Sequence, residues 1–219
     1  MDVSEHSGQS HWIPLSDLMT GLMMIFMLIS ALFMLRVEQT TTLVVREYEV
    51  TREDLLRALQ DSFAKDLKQW DAEFLGDMTL RFNNPGVLFA TGSASLRPEF
   101  QKVLSEFLPR YIKILTAEKF RRSIKEVRIE GHTSSFWGNS SNQEAYFKNM
   151  ELSQARTRST LEYILKLPEL AANADWLKAH VTANGLSSSR PIRKSDESID
   201  ESASQRVEFR IVTNAEERM

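Results

Sequence analysis

The sequence predicts one N-terminal transmembrane α-helix followed by an α/β domain, an α+β sandwich with the element order β-α-β-α-β-β. An uncharged apolar run occupies residues 18–35, and apolar side chains recur at helical spacing between residues 52 and 74. From residue 87 to 212, segments with strand-type and helix-type periodicity alternate. The predicted parts are a short N-terminal tail (1–11), a transmembrane helix (12–35), a linker with an amphipathic helix (36–75) and the C-terminal domain (76–219).

The composition argues against several functional classes. The formal net charge of -3 gives no global basic field, so nucleic acid is not an expected partner. The absence of cysteine removes disulfides, thiolate metal sites and cysteine nucleophiles. The histidines lack the i, i+3 or i, i+4 spacing of zinc-binding helices, and no glycine belongs to a phosphate-binding loop or a nucleophile elbow. We therefore expect a protein that is not an enzyme and that uses no cofactor or metal.

The apolar run from Leu18 to Leu35 has the length of a membrane-spanning helix. It contains 18 residues without a charge, close to the ~20 that cross a hydrocarbon core of ~30 Å. A cleaved signal peptide would need a basic segment ahead of a shorter apolar run, whereas residues 1–11 contain no Lys or Arg. Trp12 and Arg36 are residue types typical of the two membrane interfaces. The sequence therefore predicts an uncleaved anchor.

Asp17 lies close to one end of this helix. It follows Trp12 by five residues, which places it roughly 7.5 Å further along the helix axis. A carboxylate at this depth is costly unless it faces water or a protein partner or is protonated, and such residues are usually functional. The alternative is that Asp17, together with Ser16, only caps the helix. Thr20 and Gly21 fall on the same helix face as Asp17, and small residues there favour close approach of another helix.

A second helical pattern follows the membrane segment. The stretch between Arg52 and Phe74 predicts one amphipathic helix, because its apolar positions recur at spacings of three and four. Residues 37–50 suit either an extended linker or a helix that continues out of the membrane. The apolar stripe is compatible with dimerisation, with plugging of an ion path in a resting complex, or with packing on the C-terminal domain, and we favour the last two. Its residues are Leu55, Leu59, Phe63, Leu67, Trp70 and Phe74.

Strand and helix signals alternate in the C-terminal domain. A turn signal at residues 83–86 precedes the first strand, and Pro98 is suited to the first turn of a helix. Helices on one face of a mixed sheet would complete the sandwich. The predicted elements are a strand over 87–91, a helix over 99–116, a strand over 127–133, a helix over 145–167 and two strands over 181–186 and 206–212.

The start of the membrane helix resembles a known family. Residues 12–20, Trp-Ile-Pro-Leu-Ser-Asp-Leu-Met-Thr, followed by a methionine-rich apolar run, are similar to the membrane helix of MotB-type stator subunits. In that family the aspartate takes up and releases the ion that drives rotation of a surrounding MotA-type ring. The resemblance implies that Asp17 binds the ion, with Thr20 and Ser16 in support. It also implies a homodimer of this chain inside a MotA/ZorA-like multi-pass membrane subunit, in a five-to-two ring.

The ion is expected to be H⁺. Desolvation near the membrane edge favours the protonated form of a carboxylate, whereas Na⁺ needs several fixed oxygen ligands. Ser16 and Thr20 leave Na⁺ open as an alternative.

The C-terminal domain resembles OmpA-like peptidoglycan-binding domains over about residues 80–213. That family's ligand is the peptide stem of peptidoglycan, whose diaminopimelate carries a free carboxylate and an ammonium group, held by a helix arginine and a strand-end aspartate. The resemblance implies that Arg156 binds the carboxylate, with Thr133, Ser134, Asn149 and Arg206 lining the same cleft. The motifs that carry it are VLFATGSASLRPE (87–99), EGHT (130–133), LSQAR (152–156), GL through PI (185–192) and RVEF (206–209).

One position departs from the family's pattern. Ser134 stands where the family has the aspartate, and 17 residues separate it from Leu152, a longer loop than usual. Either this loop substitutes for the aspartate, with Glu144 and Asn149 as candidates, or affinity for the cell wall is weak. Arg156 has an alternative interpretation as a surface helix arginine, and Arg206 as a structural salt-bridge partner.

Orientation in the membrane follows from the resemblance rather than from charge. Residues 1–11 carry no Lys or Arg, whereas Arg36, Arg46 and Arg52 follow the helix, so the positive-inside rule favours a cytoplasmic C-terminus. The resemblance implies the opposite: an inner-membrane protein with a cytoplasmic N-terminus and a periplasmic C-terminal domain, where peptidoglycan is available. We follow the resemblance.

The compact plan looks most like ZorB, the stator-like subunit of Zorya anti-phage defence systems, because the N-terminal tail is short and the peptidoglycan motif is altered. This implies an ion-conducting stator-type subunit anchored to peptidoglycan. The alternatives are a flagellar MotB-like stator subunit and a passive envelope protein that only tethers the membrane to peptidoglycan.

Overall fold

The structure is a computed structural model that describes residues 12–83 and 85–214. The side chains of residues 12–14, 39–49 and 85 lie outside the described part, as does the N-terminal tail, so the interface position expected for Trp12 falls outside it too. The chain divides into two compact units, Met1–Glu49 and Val50–Met219.

The elements follow one another in a simple order. They are α1 (Trp12–Phe63), β1 (Ala72–Phe74), β2 (Thr79–Phe82), α2 (Pro85–Leu88), α3 (Pro98–Leu115), α4 (Glu118–Arg121), β3 (Ile124–His132), α5 (Asn142–Lys166), a 3₁₀ helix (Pro168–Asn173), α6 (Ala174–His180), β4 (Val181–Gly185), α7 (Glu201–Ser204) and β5 (Arg206–Thr213).

The membrane segment lies in α1. Within the described residues, Leu15–Glu38 is the one stretch of helix long and apolar enough to cross a membrane, with 24 residues, or roughly 36 Å at ~1.5 Å per residue. None of it is buried by the rest of the chain. Residues 37–50, for which the sequence left two possibilities, are helical in their backbone.

The second unit is built on a five-stranded mixed sheet with the order β1-β2-β5-β3-β4. Only β3 and β4 run parallel, with Val127 opposite Val181 and Gly131 opposite Gly185, and the other neighbours are antiparallel. Val127, Ile129 and Phe209 are buried on the face that carries the core. The predicted fold class, one apolar N-terminal helix plus an α/β sandwich, is confirmed.

Two local predictions were wrong. The amphipathic helix ends at Phe63 rather than near Phe74, because the chain turns back through Asp71, whose φ is 50°, and Phe74 then pairs with Leu80 in the sheet. Trp70 and Phe74 nevertheless pack on Phe63, with ring centroids 5.9 Å and 6.1 Å away, so the apolar spacing reflects one cluster rather than one helix.

The first predicted strand, over residues 87–91, is likewise not a strand. Residues 85–88 form the helical turn α2, which starts at a proline as helices often do, and only Phe89 keeps an isolated bridge, to Leu96. The strand that takes this place in the sheet is β2, whose four residues are too few to show a clear alternation.

Residues 50–63 belong to the core of the second unit. Leu55, Leu59 and Phe63 are 0–1% exposed, and the Phe63 ring lies 5.3 Å from that of Phe107. Of the roles considered for the apolar stripe, packing on the C-terminal domain is the one that the structure shows. The compact unit therefore begins at Val50, upstream of the boundary predicted at residue 76.

This packing predicts a large stability loss for Leu59→Ala in a soluble fragment of residues 50–219. Because Leu59 is fully buried, its truncation should lower the free energy of unfolding by about 2–5 kcal/mol. The neighbouring exposed Gln60→Ala should stay within about 0.5 kcal/mol of wild type. Urea unfolding followed by circular dichroism measures both, and equal stabilities for the two variants would contradict the packing.

A candidate ligand-binding cleft at the end of the sheet

A cavity of about 250 Å³ opens where β3 ends beside α5. Its lining mixes hydroxyl, amide and aromatic groups with one guanidinium, a composition typical of small-ligand sites. The lining residues are Thr91 and Gly92 after α2; Thr133, Ser134, Phe136, Trp137 and Gly138 after β3; Asn149, Leu152 and Arg156 on α5; and Gln205 before β5.

The position of α5 depends on two glycines at the strand ends. A Cβ at Gly131 would lie 2.7 Å from Thr157 Cγ2, and a Cβ at Gly185 would lie 2.3 Å from the backbone nitrogen of Gln154. Both distances are well below a van der Waals contact, so the helix backbone lies closer to β3 and β4 than any side chain would permit. This close approach brings Asn149, Leu152 and Arg156 to the cleft.

The loop between β3 and α5 is fixed at both ends. Ser135 donates its backbone N–H and its hydroxyl to the carboxylate of Glu201, at 2.8 Å and 2.5 Å. Asn149 donates from Nδ2 to the carbonyl of Phe136 at 3.1 Å. Glu144 forms a capping box with Ser141 at the start of α5. Glu144 is absent from the cavity lining, so of the two proposed substitutes for the missing aspartate only Asn149 lies in the cleft.

Arg156 is held by the loop that follows α2. Its Nε donates to the carbonyl of Ser93 at 2.9 Å and its Nη2 to that of Ala90 at 3.2 Å, while the guanidinium stacks 4.9 Å from the Phe89 ring centroid. Burial lowers the pKa of Arg156 from its ordinary value, but a guanidinium remains charged at neutral pH. Of its five N–H groups, two are used in these bonds. The remaining donors are available to a carboxylate in the cleft.

Thr133 and Ser134 form the floor of the cleft at the strand end. The Thr133 backbone N–H donates to the carbonyl of Ser187 at 3.0 Å, which fixes the chain direction. Thr133 Oγ1 is buried and has no hydrogen-bond partner in the described part of the chain.

Arg206 does not line the cleft, which corrects the sequence-based expectation. Its Nε donates to Glu208 Oε1 at 2.7 Å, and its Nη1 donates to the carbonyls of Ser204 and Arg190. Arg81 donates to the same Glu208 oxygen at 2.8 Å from β2. Arg206 is therefore the structural salt-bridge partner that the sequence left as an alternative, because its cross-strand position points it along the sheet rather than into the cavity.

Burial by itself would raise the pKa of Glu208, but the contacts with His132 and Arg206 and the charge of Arg206 outweigh burial and lower that pKa below its ordinary value. Its ionised form is thus stabilised in the folded state, so Glu208 contributes stability above the pKa of an unfolded glutamate and loses it as the pH falls.

A second polar cluster lies beside this pair. Ligand-type atoms of Glu130, His132 and Glu208 lie within 4.8 Å of one another, a spacing compatible with a metal ion. However, Arg190 donates to Glu130 Oε2 at 3.1 Å and Glu208 already has two arginines. His132 Nε2 lies 3.2 Å from Glu208 Oε2 without hydrogen-bond alignment. The three guanidinium groups of Arg190, Arg81 and Arg206 outnumber the two carboxylates, so a further cation would be repelled and the cluster is structural.

The residues expected to bind an ion lie apart in sequence, on α1 in the first unit. Asp17 is exposed, and Thr20 Oγ1 donates to the carbonyl of Ser16 at 2.8 Å. This bond leaves the threonine oxygen free to accept from an ion's water shell or from a protonated carboxyl. Gly21, on the face of Asp17, has no described atom within 4 Å of an added Cβ, so that face is open to a neighbouring helix.

Comparisons with known proteins place the chain in a family. No protein-family model matches the chain. It is 44% identical over 211 residues to the Zorya protein ZorB of Escherichia coli (strain Crooks), which covers 94% of this chain and 89% of that protein. The chain belongs to the ZorB family. The resemblance to ZorB inferred from the sequence is thereby confirmed.

A solved structure shows the same fold. A MotB-like protein of Desulfovibrio vulgaris is 24% identical, matches 77% of the ZorB-family chain and 94% of its own length, and has a TM-score of 0.56. The cell wall anchor of the type VI secretion system of Pseudomonas aeruginosa is 23% identical over 71% of this chain and 97% of its own, but its TM-score of 0.48 adds nothing to the fold assignment.

The sequence identified part of the cleft in this ZorB-family chain and missed part. Thr133, Ser134, Asn149 and Arg156 come together as expected. The aromatic side chains of Phe136 and Trp137 were missed. A Phe-Trp-Gly sequence inside an inserted polar loop is an unusual composition that indicates a binding surface.

The close contacts of Gly185 predict that Gly185→Ala lowers the free energy of unfolding of the domain and displaces the α5 residues that line the cleft. The added methyl group would force α5 away from β4, at a cost of about 1–3 kcal/mol in unfolding free energy. Gly76→Ala is the matched control, since no atom lies within 4 Å of its added Cβ. Urea unfolding of the 50–219 fragment distinguishes them, and a neutral Gly185→Ala would contradict the close packing.

Proposed function

We propose that this ZorB-family chain is the ion-conducting, stator-type subunit of an inner-membrane rotary motor in an anti-phage defence system, anchored to peptidoglycan by its C-terminal domain. The observation that carries the proposal is the match to the E. coli ZorB protein, which extends over nearly the whole chain and therefore includes both the apolar helix and the α/β domain. A passive tether would have the same two parts with the helix serving only as an anchor, so the role of Asp17 is what distinguishes the two functions.

The proposed assembly has two copies of this chain inside a ring of about five MotA/ZorA-like multi-pass subunits. The N-terminus is cytoplasmic and the C-terminal domain periplasmic. The exposure of every described side chain in the apolar span supports the need for partners or lipid around it. A face with Asp17 and Gly21 is suited to contact with a partner helix, since small residues permit close approach and a carboxylate there is costly in lipid.

In this proposal Asp17 alternates between a protonated and an ionised state as H⁺ passes. The protonated form is compatible with a low-dielectric contact between helices, and the ionised form attracts the next proton from water. Ser16 and Thr20 provide hydroxyl groups beside it. The chain itself performs no catalytic step.

Asp17→Asn should abolish defence while leaving assembly intact, because asparagine keeps the size of aspartate but cannot take up a proton. Plaque counts on cells that carry the complete system measure defence, and co-purification of the partner from membranes measures assembly. Asp61→Asn, at an exposed position of the same helix beyond the membrane span, is the matched control and should protect normally. Normal protection by Asp17→Asn would favour the passive tether.

The identity of the transported ion can be tested separately. Proton flux through the assembled complex in liposomes should follow the pH gradient and should persist without sodium, because a single carboxylate with two hydroxyl neighbours is a poor sodium site. Flux that follows the sodium gradient and survives collapse of the proton gradient would assign Na⁺ instead.

The cleft is proposed to bind the carboxylate of a peptidoglycan stem. The guanidinium of Arg156 belongs to the cavity lining and keeps N–H groups beyond the two that Ser93 and Ala90 accept, which supports an anionic ligand. Ser134 and Asn149 add neutral polar groups.

Arg156→Ala in the 50–219 fragment should weaken binding to purified cell-wall sacculi by about 10- to 100-fold, the loss of a charge-assisted bond worth roughly 1.5–3 kcal/mol. Arg158→Ala, on the same helix and with a side chain 79% exposed, is the matched control and should bind like wild type. Thermal unfolding of both variants separates loss of ligand contact from loss of the Ala90 and Ser93 bonds. If wild type and Arg156→Ala bind sacculi equally well, the proposed binding site is wrong.

A further inference from the structure

The cleft contains a positive charge and no negative one among its lining residues. Among the residues that line the cavity, all of which the structure describes, Arg156 is the one that is ionised at neutral pH. The others offer hydroxyl, amide, backbone and aromatic groups. A ligand carboxylate therefore meets a fixed positive charge, whereas a ligand ammonium meets no negative one.

The carboxylates of Glu201 and Glu144, which hold the loop between β3 and α5 at its two ends, are already engaged in hydrogen bonds. Both oxygens of Glu201 accept from Ser135, and a Glu144 oxygen accepts the Ser141 backbone N–H in the capping box. Neither residue lines the cavity. Reaching a ligand would require Glu201 to give up two hydrogen bonds that hold the loop.

Aromatic rings occupy part of the wall instead. Phe136 is 69% exposed and Trp137 is half-buried, and both line the cavity. The loop that carries them is fixed by the Asn149 bond to Phe136 and by a turn in which the Ser140 N–H donates to the Trp137 carbonyl. An ammonium near such rings gains a modest cation–π attraction, and a neutral acylated amine gains apolar contact.

We propose that the cleft recognises the peptidoglycan stem by its carboxylate alone, so that a diaminopimelate whose side-chain amine is acylated and uncharged binds as well as one whose amine is free. This rests on the proposed function of the cleft. Its consequence is that stems whose amine is acylated in a cross-link remain available as anchoring points.

The test is a calorimetric titration of the full-length protein in detergent with three forms of the stem tripeptide that ends in diaminopimelate. The forms carry a free side-chain amine, an N-acetylated amine, or an amidated side-chain carboxylate. The free and acetylated forms should bind within threefold of each other, and amidation of the carboxylate should weaken binding at least tenfold. A tenfold or larger loss on acetylation would overturn the inference but not the peptidoglycan site. Absence of binding by all three forms would overturn both.

Two variants test whether a carboxylate in or near the cleft makes binding depend on the amine. Ser134→Asp introduces a carboxylate in the cleft and should make binding sensitive to the amine, with acetylation then costing tenfold or more. Glu201→Gln should leave the ratio of free to acetylated binding at its wild-type value. A wild-type preference for the free amine that disappears in Glu201→Gln would instead assign amine recognition to Glu201 and overturn the proposal. Thermal unfolding confirms that each variant is folded.

Discussion

The close contact between α5 and the ends of β3 and β4 is the constraint on which the cleft depends. Gly131 and Gly185 lie opposite each other in the parallel pair, and each faces a helix atom at a distance that admits no Cβ. Because the helix lies this close, Arg156 reaches the loop after α2, and Thr133, directly after β3, lines the same cavity. A slightly more distant helix would leave these groups on separate surfaces.

Arg156 and Arg206 both belong to motifs of the family resemblance, but they have different roles because one lies on a helix and the other on a strand. Arg206 is on a central strand, where Glu208 and two carbonyl groups take its donors, and it stabilises the polar face of the sheet. Arg156 is on a helix whose neighbouring loop takes only two of its donors, so a part of its hydrogen-bonding capacity remains for a ligand. The ion pairs of Arg206 and Arg81 with Glu208, at 2.7 Å and 2.8 Å, are consistent with the lowered pKa of that carboxyl.

The last turns of α1 are part of the domain core rather than a spacer. Leu55, Leu59 and Phe63 are fully buried. They add buried apolar surface to the core that a domain beginning at residue 76 would lack. A helical stripe that has its partner within its own chain is not available for a free coiled coil. The functional carboxylate proposed at Asp17 lies in the other compact unit, whose described side chains, at residues 15–38, are all exposed.

Local sequence patterns were enough to predict an apolar span, the fold class, the family resemblance and four residues of the cleft, because hydrophobic runs, helical and strand periodicity and short motifs are local properties of the chain. Tertiary structure decided where the amphipathic helix ends, that residues 85–88 form a turn of helix, and that Arg206 faces Glu208 rather than the cavity. It also brought the aromatic loop to the cleft. These outcomes depend on contacts between residues far apart in sequence, for which periodicity carries no signal.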